Sequence, residues 1–183
     1  RLLFVQMTDG NWLDEAAFCL KRRRKHLFSA ESDFLAPLLA LLNTSERRNV
    51  TVWALECARA PVLRLGEIAP DDGRPAETLR LARLWAGGEV KMPPARRAIL
   101  GVHSAARDMP SPEGEALCHA VGQACSVAHT PRHAAGLPVY ELTAIVRRFG
   151  LDGCRGAVET RMAEYLDCLA RADAIAKNPE LRW

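Results

Sequence analysis

Apolar residues recur along this chain at intervals of three and four, the spacing that gathers them on one side of a helix. Over 11–29, Leu13, Ala16, Ala17 and Leu20 line such a side and predict a first helix that runs into a basic stretch. Ser32 or Asp33 is placed to cap a second helix ending near Asn43, with Pro37 in its first turns, where a missing N–H costs least. Ser45 suits the N-cap of a third. Val50, Trp53, Ala54, Cys57 and Ala58 keep the helical spacing there, and Pro61 marks a kink or an early stop.

The second half is punctuated by proline and glycine. Asp71-Asp72-Gly73-Arg74-Pro75 predicts a turn into a helix that carries Thr78, Leu81 and Trp85 on one stripe and stops at Gly87-Gly88. Pro93-Pro94 opens another, with Ala95, Ala98, Ile99, Val102, Ala105 and Ala106 on its stripe, broken over 108–112. Ser111-Pro112-Glu113 is a strong start for a helix whose one face is Leu117, Val121, Ala124 and Ala128; its small residues admit a close neighbour. Thr130-Pro131 restarts the chain, Pro138 begins or kinks a helix to Phe149 with Gly150 as its C-cap, and a last helix runs over 154–175 before a tail at 178–183. About eight helices, no convincing strand, no repeat period and no linker predict an all-α single domain over 1–183, an antiparallel bundle or a layered array.

Composition strengthens that picture. Ala and Leu total 53 residues against 15 for Val and Ile, a strong bias toward helix formers. The formal charge is +3, from 25 Lys and Arg against 22 Asp and Glu. This balance argues against a dedicated nucleic-acid binder, which concentrates more positive charge on one face. The dense run Lys21-Arg22-Arg23-Arg24-Lys25 reads better as a solvated helix face than as a nucleic-acid patch. The longest apolar run, over 34–42, is interrupted by Pro37 and too short for a bilayer, and the opening stretch 1–5 is too short for a signal-peptide core. The first residue is Arg, which suggests a processed or trimmed start. Six cysteines (Cys19, Cys57, Cys118, Cys125, Cys154 and Cys168) sit in apolar helical patterns without a Cys-x-x-Cys pair, so free thiols in a cytoplasmic protein are expected.

Chemistry is sparser. Cys118, Gly122, Cys125 and His129 share one helical face, and His103, Cys125, His129 and His133 are the best set for a metal, since zinc needs four nitrogen or sulfur ligands aimed at one centre. Pro131 stands between His129 and His133, and the spacing fits no familiar zinc motif, so buried packing thiols and hydrogen-bonded histidines are the stronger reading. Ser104 beside His103 points elsewhere on its helix, and no nucleophile elbow, phosphate loop or dinucleotide fingerprint occurs. No enzyme activity and no cofactor are therefore expected. Asp72 suits a helix start, with Arg74 forking onto a carboxylate or onto neighbouring carbonyls. Asp72, Arg74, His103, His129, His133 and Tyr140 could together line one groove, for a small molecule or a protein.

One ordered set of short elements carries a resemblance. Trp53-Ala54-Leu55-Glu56-Cys57-Ala58, Asp72-Gly73-Arg74-Pro75, Trp85, Gly88-Glu89, Arg97, His103-Ser104-Ala105-Ala106-Arg107, Ala128-His129, His133-Ala134-Ala135-Gly136 and Tyr140 follow one another over 46–150. In that order they resemble the putative immunity proteins of bacterial polymorphic toxin systems. The N-terminal helices over 1–45 and the segment 151–183 lie outside the resemblance. It implies a cytoplasmic, non-enzymatic binder that occludes a cognate protein toxin, and it supplies no binding residues. A homodimer is left open.

Overall fold

The computed structural model describes residues 12–177; the opening stretch at 1–5 and the tail at 178–183 lie outside the described residues. The first helix, α1 (Trp12–Lys21), is shorter than the expected 11–29. Like charges one turn apart in the basic run oppose a continuing helix. The chain closes it instead with two backbone bonds, Arg24 N–H to the Cys19 carbonyl (3.0 Å) and Arg23 N–H to the Leu20 carbonyl (2.9 Å). This pairing is a Schellman closure, and it puts Arg23 at φ 53°, a region glycine usually fills. The basic run is thus a turn, with Arg22–Lys25 exposed, rather than a helix face.

Eight further helices follow: α2 (Ala36–Thr44), α3 (Arg47–Cys57), α4 (Arg59–Ile68), α5 (Arg74–Ala86), α6 (Met92–Ala105), α7 (Pro112–Ser126), α8 (Gly136–Gly153) and α9 (Arg155–Ala176). Short 3-10 turns occupy Ala106–Asp108 and Pro131–Ala135. Nine α-helices and no strand occur among the described residues, one helix more than expected because the third divides at Ala58. Pro61 explains the division, since it has no N–H for the carbonyl of Cys57 four residues earlier. Other stops match expectation: Gly88 (φ 77°) closes α5, Gly150 (φ 70°) interrupts α8, and the Ser111 hydroxyl accepts from the Gly114 N–H at 3.2 Å to start α7. Ser45 does not cap α3; its hydroxyl turns back to donate to the Leu41 carbonyl at 2.7 Å.

Helix α7 is the hub. Ala116, Leu117, Cys118, Ala120, Val121, Gly122, Ala124 and Cys125 are all buried, so it is covered on nearly every side, by α8, α6, α4, α5 and α3. Helix α3 also packs on α9, where the fully buried Trp53 indole donates to the Tyr165 carbonyl at 3.0 Å. Burying a side chain of that size removes roughly 2–3 kcal/mol of apolar hydration. The N-terminal segment joins the same core through the Trp12, Phe28 and Phe34 rings, with centroids 5.4–6.2 Å apart. The Leu27 N–H completes the junction by donating to the Thr143 hydroxyl of α8 at 3.0 Å. One hydrophobic core runs from Trp12 to Ala176, so the described residues form an all-α single domain. Among the described residues no helix is long and apolar enough to cross a membrane.

Candidate functional site

An open cleft of about 760 Å³ lies between α6, the turn that follows it and α7, with Lys25 at its edge. His103, in the last turn of α6, meets His119 of α7 with their Nδ1 atoms 2.9 Å apart. The other nitrogen of His119 lies 3.1 Å from the Lys25 ammonium, which also faces Glu115 at 3.7 Å. Close approach of α6 and α7 depends on Gly122, since a β-carbon there would stand 2.4 Å from the His103 ring. Burial, then the Lys25 charge, pulls the His119 imidazole down to about 4, and burial lowers His103 as well. The pair is therefore neutral at neutral pH. Arg107, Ser104 and Ser111 complete the polar lining.

A second cleft of about 630 Å³ adjoins the first along Met109 and Pro110. Its wall is a clamp in which Arg74 donates to Asp72 through Nε (2.9 Å) and a terminal nitrogen (2.8 Å) and reaches Asp108 at 2.7 Å. Asp72 also accepts from the Arg74 backbone N–H (3.0 Å), which serves the first turn of α5. Its carboxyl is held below the usual range, chiefly by the Arg74 guanidinium. The clamp ties the start of α5 to the turn after α6, so it is both a brace and a wall.

The remaining expected groove residues are distributed. Tyr140 joins the first cluster from behind, its ring 5.1 Å from His119 and 4.5 Å edge-on from His26. His133 sits at the other end of α7, with Nδ1 2.7 Å from the Gln123 amide oxygen. His129 lies apart, exposed, with its ring tilted toward Trp85 at a centroid distance of 6.3 Å. Cys125 is sealed in the core, where burial pushes its thiol up to about 12. Among the described residues no three His, Cys, Asp or Glu side chains are grouped to hold a metal ion, so His103, Cys125, His129 and His133 do not converge. All six cysteines are buried free thiols.

Sequence reasoning missed three participants. Lys25 and His26 arrive from a turn more than ninety positions before His119, and no local pattern announces that meeting. The third is a buried cluster between α8 and α9: Arg161 forks onto Glu141 at 2.8 and 3.1 Å, and the Tyr165 hydroxyl donates to the same carboxylate. Burial raises Glu141, with Arg161 opposing it. The terminal Arg161 nitrogen of that fork also donates to the Cys57 carbonyl at 2.7 Å, the one that Pro61 leaves open. These hydrogen bonds tie α8, α9 and the α3–α4 junction together.

The family model for Imm-5 like putative immunity proteins matches residues 40–168. That span takes in α3 to α8 entire and α9 as far as Cys168, and hence the walls of both clefts and the Glu141–Arg161 cluster, while Lys25 and His26 precede it. No curated protein and no solved structure matches the chain. A match over most of the chain, embracing the hub helix and all that packs on it, means that this protein belongs to the Imm-5 like putative immunity protein family.

Proposed function

We propose that this protein neutralises a cognate protein toxin in the cytoplasm by binding it directly, with no chemical step of its own. The family match over 40–168 carries this reading. The adjoining clefts around Met109 and Pro110 are the surface we assign to the partner. They are open and present charges of both signs (Lys25, Arg107, Glu115, Arg74, Asp108), which suits a protein surface better than a small substrate. Asp72, Arg74 and His103 thus keep the binding role the sequence suggested, with Tyr140 behind His119, while His129 and His133 stand outside this surface.

Co-expression with the product of each gene beside its own tests the proposal. One of them should arrest growth alone, be tolerated with this protein, and co-purify with it. Charge reversal at Arg107 should slow association by roughly tenfold while folding is retained. If no neighbouring product is toxic, or none is neutralised, the reading fails.

A further inference from the structure

A separate pocket of about 570 Å³ lies between the start of α3 and the ends of α5 and α7. Its walls include Arg47, Arg48, Trp85 and His129, and among the described residues that line it none is acidic. The Arg47 guanidinium donates to the carbonyls of Ala128 (2.7 Å) and His129 (3.1 Å), which anchors it at the rim through one terminal nitrogen. Its remaining N–H groups make no hydrogen bond or ion pair with another described residue, and neither does the exposed Arg48. Trp85 is half-buried, and the His129 ring leans toward it at 34°.

Two guanidiniums beside an aromatic wall form a composite recognition surface. A guanidinium fork matches the oxygens of a phosphate, and an indole face stacks on a purine or pyrimidine. A bare carboxylate or inorganic phosphate would satisfy the arginines and leave Trp85 in water. We propose that this pocket binds a nucleoside monophosphate, with its phosphate on Arg47 and Arg48 and its base against Trp85 and His129. Such a site is independent of toxin binding and lies outside the adjoining clefts.

Titration of the full chain with AMP, GMP, CMP and UMP, followed by tryptophan fluorescence and calorimetry, tests this. At least one nucleotide should bind saturably. Adenosine and inorganic phosphate should each bind at least about tenfold more weakly than AMP or its best counterpart, because each uses half the pocket. Rising salt should weaken the nucleotide. Arg48→Ala and His129→Ala alter exposed side chains, so the folded state should persist by circular dichroism while nucleotide affinity falls about tenfold in the double variant. Absence of saturable binding overturns the proposal, as does affinity unchanged in the double variant. Inorganic phosphate binding as tightly as the nucleotides would make this a plain anion site instead. Binding of a short single-stranded oligonucleotide but of no mononucleotide would likewise reject it, in favour of an extended nucleic-acid surface.

Discussion

The Nδ1 atoms of His103 and His119 lie 2.9 Å apart, so one of them must donate and the other accept. Lys25 decides which. Its ammonium has only donors, so His119 Nε2 accepts from it at 3.1 Å, and the neutral ring carries its proton on Nδ1. His119 then donates to His103, whose own proton is left on Nε2. A lysine outside the matched family region thus fixes the tautomers of two histidines within it.

The arrangement predicts acid sensitivity. Burial and Lys25 hold His119 at about 4, below its ordinary 6.5, and burial also lowers His103 and His26. Arg147 and Lys25 face His26 with like charge, whereas Glu115 alone opposes the shift at His119. The unfolded chain therefore binds more protons than the folded one between these values, and stability rises with pH. His119 contributes its full share above 6.5 and loses it as pH falls toward 4. That share is about 2 kcal/mol, reduced from the whole shift because the ring is partly open to solvent. His119→Asn keeps an N–H toward His103 and removes the titration. Urea midpoints taken from neutral pH down to about pH 4.5 should fall less for the variant than for the parent; parallel curves would contradict this account.

Gly122→Ala probes the same contact from the backbone side. A β-carbon 2.4 Å from both Cε1 and Nε2 of His103 forces the imidazole off its place. The ring is held by His119, so the variant should lose about 1–3 kcal/mol. His103→Ala removes the obstacle, and the double variant should be more stable than the sum of the singles predicts. Thermal unfolding of the four proteins measures the coupling.

Helix limits were largely legible in the sequence because prolines and glycines act locally: Ser111-Pro112, Gly88 and Gly150 all stand where the chain changes direction. The buried fate of Cys118 and Cys125 was legible too, since their spacing follows the small-residue face of α7. The candidate groove was only partly so. Helical periodicity orients a side chain relative to its own axis and says nothing of which distant segment meets it. Hence His103 and Arg74 could be nominated for a groove, whereas Lys25, His26 and the Glu141–Arg161 pairing could not. His129 was grouped with His103 by chemistry, yet α7 ends at Ser126, and the turn that follows, with its contact to Trp85, places His129 on another face.

Arg23 and Gly88 occupy equivalent positions in two helix closures, since Gly88 N–H donates to the Trp85 carbonyl (3.0 Å) and Glu89 N–H to that of Leu84 (2.8 Å). Glycine adopts the left-handed conformation without a β-carbon penalty, whereas an L side chain there costs about 1 kcal/mol. Arg23→Gly should therefore raise stability, by up to about 0.5 kcal/mol after the greater chain entropy of glycine is set against the gain. A higher melting temperature, with the solubility of the basic turn preserved, is the expected result; a lower one would mean that the arginine makes a stabilising contact that outweighs its backbone strain.

Arg161 has the most demanding position in the molecule. Its side chain is 11% exposed and that of Glu141 5%, and the same guanidinium serves the carboxylate, Glu164 and the Cys57 carbonyl. Removing it strands two groups at once: a buried carboxylate already disfavoured by desolvation, and a carbonyl left open by a proline. Arg161→Met should cost about 3–5 kcal/mol, as breaking a buried pair usually does. Glu141→Leu alone should also be costly, because it leaves the buried Arg161 cation beside Tyr165 with only the exposed Glu164 carboxylate as its counter-ion. The double variant replaces the pair with apolar volume and should recover much of the loss, though not all, since the Cys57 carbonyl and the Tyr165 hydroxyl still lack partners. Restoring the carbonyl's own partner separates these terms. Pro61→Ala returns an N–H that can reach Cys57 along a continuous α3–α4 helix, so it should soften the Arg161→Met penalty while doing little for Glu141→Leu. Denaturant unfolding of these variants, read as coupling energies, would show whether proline and arginine act as one unit; strict additivity between positions 61 and 161 would show that they do not.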